Sequence, residues 1–197
     1  MALTNVKFLI SCPSKEFWPD ESLPEFVMIG KSNVGKSTFI NFLCQNSTIA
    51  KVSSTPGHTK LLNFFNVNNE FRLVDAPGYG FAYANKQNDQ SFAKMMEEYL
   101  FERKNLKGCC LLVDSRRAPS EDDAIMFNML IDAQVPFIIV ATKCDKLNQS
   151  EKSKVIKNIV SRFTLNSSDN IFLSGLKNYK VIEEVTEQMY QMIKEQE

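Results

Sequence analysis

Apolar positions along this chain recur in two alternating periods. FVMIG (26–30) is a short run, apolar throughout and ending in glycine, which predicts a buried strand. KSTFINFLC (36–44) follows with helical spacing. LLNFFNV and EFRLV flank an Asn-Asn pair and read as a hairpin. SFAKMMEEYLFERK places Phe92, Met95, Met96, Tyr99 and Leu100 on one helical face. CCLLVD (109–114) is a buried strand, and SEDDAIMFNMLIDA is a helix opened by a cap-like Ser120 and an acidic first turn. PFIIVATK and NIFLS read as strands, SEKSKVIKNIVSRF and VIEEVTEQMYQMI as helices. Strands alternate with helices, so the expected class is α/β: a single domain with a mostly parallel sheet, one antiparallel strand, and helices on both faces. In such sheets ligands bind at the carboxyl ends of the strands.

The candidate chemistry falls at those ends. GKSNVGKS (30–37) matches G-x-x-x-x-G-K-[ST] between a strand and a helix, the context a phosphate-binding loop requires. Its glycines let the backbone wrap a phosphate, and the loop amides with the helix amino end supply positive potential. Lys36 is expected to reach the β- and γ-phosphates, and the Ser37 hydroxyl to ligate Mg²⁺. Asp75 ends the strand FRLVD and opens D-x-x-G, so its carboxylate would hold Mg²⁺ through water while the Gly78 amide touches the γ-phosphate. TKCD (142–145) is near N-K-x-D. Asp145 would accept from the guanine N1–H and N2–H₂, a pair adenine lacks, and the Lys143 stem would lie over the base. Thr142 replaces the usual Asn and keeps a hydroxyl for the phosphate loop, with less reach. LSGL (173–176) could offer its amides to the guanine O6. Between the first helix and the hairpin, Thr59 is favoured over Thr55 to close on Mg²⁺ and the γ-phosphate, because it follows Pro56-Gly57 and precedes the strand. His58, the only histidine, is expected to be an exposed loop residue.

The 197 residues suffice for one domain. With 44% hydrophobic and 23% charged residues and zero net charge, the composition is that of a soluble globular chain, and bulk charge gives no reason to bind nucleic acid. The five cysteines form no C-x-x-C pair and are expected to be reduced core thiols of a cytoplasmic protein. No run approaches the ~20 apolar residues of a membrane span. The first residues make a poor signal or transit peptide.

GKSNVGKS, PGHT, DAPGYGFA and TKCD resemble the motifs of the EngB/YihA/YsxC GTPases, bacterial P-loop proteins of the translation-factor-related class. The likeness covers nearly the whole chain. It implies a lone Ras-like GTPase domain over residues 25–197, with residues 1–24 as an extension packed on it. It also implies GTP and GDP binding with Mg²⁺, slow hydrolysis, a role in late assembly of the large ribosomal subunit (rRNA and ribosomal proteins), a link to cell division and septation, and a monomer. Carried over, the nucleotide would be held by Gly30, Lys31, Ser32, Asn33, Val34, Gly35, Lys36 and Ser37, and by Gly57, His58, Thr59, Lys60 and Leu61. Asp75, Ala76, Pro77 and Gly78, then Thr142, Lys143, Cys144 and Asp145, and finally Leu173, Ser174 and Gly175 would complete the site. Ser37 and Thr59 would be the Mg²⁺ ligands, and Lys36, Thr59, Gly78 and Asn33 the catalytic group. Phe81 stands where the family more often has Tyr, and LSGLKNYK is a loose form of the last motif.

Tyr79 occupies the position where many GTPases carry a water-orienting glutamine. Three readings remain open for what replaces it. Asn33, fourth in the phosphate loop, could ligate a K⁺ ion; it could merely brace the turn; or the ribosome could supply the group in trans. A basic stripe, Lys154, Lys157 and Arg162, could meet rRNA or be a solvated helix face. Two further function classes compete with the switch: a metabolic P-loop kinase, which leaves TKCD unexplained, and a division-site scaffold that binds nucleotide with little turnover.

Overall fold

The computed structural model describes residues 3–50, 61–80, 86–175 and 178–194. Seven strands form one sheet: β1 (Val6–Cys12), β2 (Glu25–Gly30), β3 (Leu62–Val67), β4 (Phe71–Asp75), β5 (Leu106–Asp114), β6 (Phe137–Thr142) and β7 (Ile171–Leu173). Five helices connect them: α1 (Lys36–Leu43), α2 (Lys86–Glu102), α3 (Glu121–Asp132), α4 (Gln149–Phe163) and α5 (Tyr179–Lys194). The strand order is β1-β3-β4-β2-β5-β6-β7. β3 pairs antiparallel with both neighbours, and every other pairing is parallel. The expected single antiparallel strand is therefore β3. The hairpin turns through Asn68 and Asn69 at φ 54° and 59°, the left-handed values that asparagine tolerates and a β-branched residue resists.

Two cores explain why the central strands read as continuous apolar runs. On one face Val27, Ile29, Cys109, Leu111 and Val113 meet Met96, Tyr99, Phe127 and Ile159 from α2, α3 and α4. On the other, Phe26, Met28, Cys110 and Leu112 meet Ile40, Leu43, Val185 and Met189 from α1 and α5. Successive side chains of a strand point to opposite faces, so both sets must be apolar. The adjacent Cys109 and Cys110 thus lie in different cores. All five cysteines are free and buried. Burial pushes the Cys44 thiol up to about 12, far from the reactive thiolate range.

The sequence pattern did not reveal β1. It lies within the segment read as an extension, where it forms an edge strand of the sheet, with a register shift between Phe8 and Ile10 that adds Leu9 as a bulge. Phe8, Leu9 and Ile10 are all exposed, so the strand carries no clean period of two. Residues 15–25 are held by a charged cluster. Glu25, fully buried, accepts from Arg103 Nε at 2.9 Å and Nη2 at 2.5 Å, and from the Tyr99 hydroxyl at 2.8 Å. Arg72 approaches the same carboxylate at 3.5 Å. Arg103 Nη2 also donates to the Pro19 carbonyl at 2.9 Å, and its guanidinium lies 5.7 Å from the Trp18 ring centroid. Among the described residues no helix is long and apolar enough to cross a membrane.

Candidate nucleotide site

From β2 the chain goes first to β3 and β4 on one side and later to β5 on the other, so the loops after β2 and β5 diverge and leave a crevice at the strand carboxyl ends. The loop Lys31–Gly35 rises there and feeds α1, whose N-cap is Gly35 at φ 107°. Asn33 is also left-handed, at φ 63°. The alternation turns backbone N–H groups toward one concavity. The amides of Asn33, Gly35, Lys36 and Ser37 have no hydrogen-bond partner among the described residues. Four such donors at a helix amino end form a cradle for an anion. Lys36 and Asp75 form an ion pair at its floor, each side chain 11% exposed. Ser37 is half-buried beside them at the start of α1.

Asp75, Ala76, Pro77 and Gly78 pass close over this loop. A Cβ on Gly78 would come within 2.8 Å of Ser32 Oγ and 2.9 Å of Ser32 Cα, so only glycine permits the approach. Tyr79 continues alongside, its carbonyl accepting from Ser32 N at 2.8 Å. The Tyr79 ring is buried and points away from the cradle to α3, where its hydroxyl donates to Asp123 Oδ1 at 2.6 Å. The side chain at the glutamine position therefore does not face the cradle.

The second half of the site is tied to the first. Thr142 Oγ1 is buried 2.6 Å from the Val34 carbonyl, so the hydroxyl that replaces Asn does reach the phosphate loop. Lys143 Nζ donates to the Asn33 carbonyl at 2.7 Å and to Asp114 Oδ2 at 2.8 Å. Burial opposes ionisation of Asp114, but hydrogen bonds from Arg116 and Lys143 outweigh it and hold its carboxyl below the usual range. Cys144 is a core residue of the turn, its thiol 3.2 Å from the Ala141 carbonyl. Asp145 is exposed at the mouth of the crevice. Leu173, Ser174 and Gly175 come alongside: Ser174 N donates to Ala141 O at 2.8 Å and Cys144 N to Ser174 O at 2.9 Å. A Cβ on Gly175 would lie 2.7 Å from Asp145 N, so the loose last motif does abut the TKCD turn.

Gly30, Lys31 and Leu61 fall at the strand ends around the crevice, while Gly57, His58, Thr59, Lys60 and Phe81 lie outside the described residues. Two residues beside the site carry no motif. Asp114 ends a strand already read as apolar, and that end position at the crevice was the available signal. Asp123, in the first turn of α3, carried only a capping signal.

The donor set fits a nucleotide phosphate chain. Among the described residues no group of three or more His, Cys, Asp or Glu converges as a metal cage. A Mg²⁺ here would draw its oxygens from Ser37, phosphate and water, with Asp75 beside them, the mode usual for this ion.

Residues 25–143 match the model of a family described as 50S ribosome-binding GTPase. A probable GTP-binding protein EngB of Mycoplasma mycoides is 45% identical over 184 residues, 91% of this chain and 93% of that protein. Its counterpart in Exiguobacterium is 38% identical over 197 residues, the full length of both. A crystal structure of a probable GTP-binding protein EngB superposes with a TM-score of 0.73 at 23% identity, covering 87% of this chain and 99% of that one, which supports the fold alone. Family match, full-length identity and fold agree that this chain is a GTP-binding protein of the EngB family, a P-loop GTPase.

Proposed function

We propose that this GTPase is a nucleotide-driven switch in assembly of the large ribosomal subunit, acting as a cytoplasmic monomer on rRNA and ribosomal proteins. The observation that carries the reading is the match of residues 25–143 to a family described as 50S ribosome-binding. The link to cell division and septation comes with the family resemblance and is part of the same proposal. The test is co-sedimentation with purified large subunits. Binding is expected with a non-hydrolysable GTP analogue and weaker with GDP. Equal retention with both, or none, would leave the division-site scaffold as the better reading.

At the site, the phosphate chain would lie on the amides of Asn33, Gly35, Lys36 and Ser37, with Lys36 swinging from Asp75 to the β- and γ-phosphates. Ser37, and Thr59 from the segment before β3, are the proposed Mg²⁺ ligands. The ion would supply charge neutralisation between the phosphates. Asp145 would read the guanine edge, and Lys143, braced by Asn33 and Asp114, would lie over the base. Residues 25–197 would form the GTPase domain, with residues 1–24 packed on it.

Asn33 is the proposed replacement for the missing glutamine. Its side chain is exposed, and its amide has no hydrogen-bond partner among the described residues; only its carbonyl is engaged, by Lys143. The amide oxygen would ligate K⁺, which would offset charge growing between the β- and γ-phosphates. GTP turnover in KCl is expected to exceed that in NaCl by more than about tenfold, and Asn33→Ala should abolish the difference. Equal rates in the two salts would move the catalytic group to the ribosome.

A further inference from the structure

The residue after Asp-x-x-Gly is fastened from two sides. Its backbone runs beside the phosphate loop, with Ser32 N to Tyr79 O at 2.8 Å and Tyr79 N to Gly30 O at 3.4 Å. Its ring is 4% exposed and packs against Phe92 of α2, the centroids 6.4 Å apart. Its hydroxyl reaches Asp123, which is itself 6% exposed and closes the α3 capping box. Asp123 Oδ1 takes the phenol at 2.6 Å, while Oδ2 accepts from Ser120 N and Ser120 Oγ, both at 2.7 Å. A parallel strut leaves the phosphate loop: Lys31 Nζ donates to Asp122 Oδ2 at 2.7 Å and to Ser120 Oγ at 3.2 Å. Phosphate loop and sensor loop therefore converge on one helical turn. Burial, then the neighbouring Asp123 charge, push the Tyr79 phenol well above its ordinary value, so it remains a hydrogen-bond donor at neutral pH.

We propose that Tyr79 is a positioning residue of the GTPase reaction: its hydroxyl latches the Gly78 amide to the first turn of α3 and so sets the preference for triphosphate over diphosphate. The proposal rests on the reading that Gly78 meets the terminal phosphate. The Gly78 amide has no hydrogen-bond partner among the described residues, and it is one peptide from the latch. With the phenol bonded, that amide is held before ligand arrives. Without it, binding must also order the loop, a cost that opposes association. GDP lacks the γ-phosphate and does not depend on this amide.

The experiment is titration of the full chain with GDP and with a non-hydrolysable GTP analogue, beside single-turnover hydrolysis of GTP. Tyr79→Phe keeps the ring on Phe92 and removes only the hydroxyl. It is expected to hold GDP affinity within about twofold, to weaken the analogue about tenfold, the scale of one hydrogen bond to a charged acceptor, and to slow hydrolysis. Asp123→Asn retains an oxygen acceptor for the phenol and is expected to keep most of the analogue affinity. Tyr79→Phe binding both nucleotides as the wild type does would overturn the latch. So would equal losses for both, which mark a merely structural role. Gly78→Ala separates the two readings. Loss of analogue binding there beside an unaffected Tyr79→Phe overturns the latch alone. An undiminished triphosphate preference in Gly78→Ala overturns the phosphate reading, and the latch with it.

Discussion

Asp145→Asn is expected to cut GDP affinity at least ~10-fold, ~1–3 kcal/mol, and to raise affinity for XDP. The carboxylate accepts from the guanine N1–H and N2–H₂, whereas an amide presents a donor to one of them and leaves a polar pair mismatched. Xanthine carries a carbonyl where guanine has its amino group, so the amide suits it better. The fold should survive, since Asp145 is exposed and several further contacts hold the turn around it: Thr142 on the Val34 carbonyl, Lys143 on Asp114, and Ser174 on Ala141 and Cys144. Titration of labelled GDP and XDP against both proteins measures the change. An unaltered GDP affinity would sink the assignment of residues 142–145 as the base reader.

A second large effect is expected at the opposite end of the sheet. Glu25→Ala leaves the guanidinium groups of Arg72 and Arg103, whose side chains are 6% and 4% exposed, facing each other without the carboxylate between them. Breaking a buried ion cluster by removing one partner costs ~3–5 kcal/mol, because the remaining charges stay desolvated; among the described residues only the more exposed carboxylates of Asp20, 2.9 Å from Arg72, and Glu21, 3.7 Å from Arg103, would still face them. The Tyr99 hydroxyl loses its acceptor as well. For a domain of this size that corresponds to a Tm lower by roughly 10 °C. Glu25 begins β2 and Gly30 ends it, about 17 Å away along an extended strand. The folded fraction should therefore bind GDP as the wild type does. Thermal melts of the variant measure the first expectation. A shift of only a degree or two would show that the Asp20 and Glu21 carboxylates, already paired with Arg72 and Arg103, suffice to hold the two charges.

The sequence alone determined the class of fold and the location of the chemistry, for reasons that are local. A parallel strand is buried on both faces, so FVMIG, CCLLV and PFIIVA read as unbroken apolar runs and stand out. The phosphate loop is contiguous because one strand–turn–helix supplies its glycines, its lysine and its hydroxyl. Asp75 and TKCD were legible because each ends such a strand. What the sequence could not show depends on residues far apart in the chain. β1 owes its place to pairing with β3, more than fifty residues later, and as an exposed edge it carries no alternation to announce itself. The Glu25–Arg72–Arg103 cluster joins three segments, and nothing in each charge taken singly distinguishes it from a solvated one. Asp114 became a support for Lys143 only when β5 and β6 were set side by side. Tyr79 shows the division most clearly. The sequence establishes that a phenol stands where a glutamine is expected, but a side chain's direction is set by whichever packing and hydrogen bond stabilise it most. Here Phe92 and the α3 cap provide both, so tertiary structure turned the ring away from the phosphate cradle and onto Asp123.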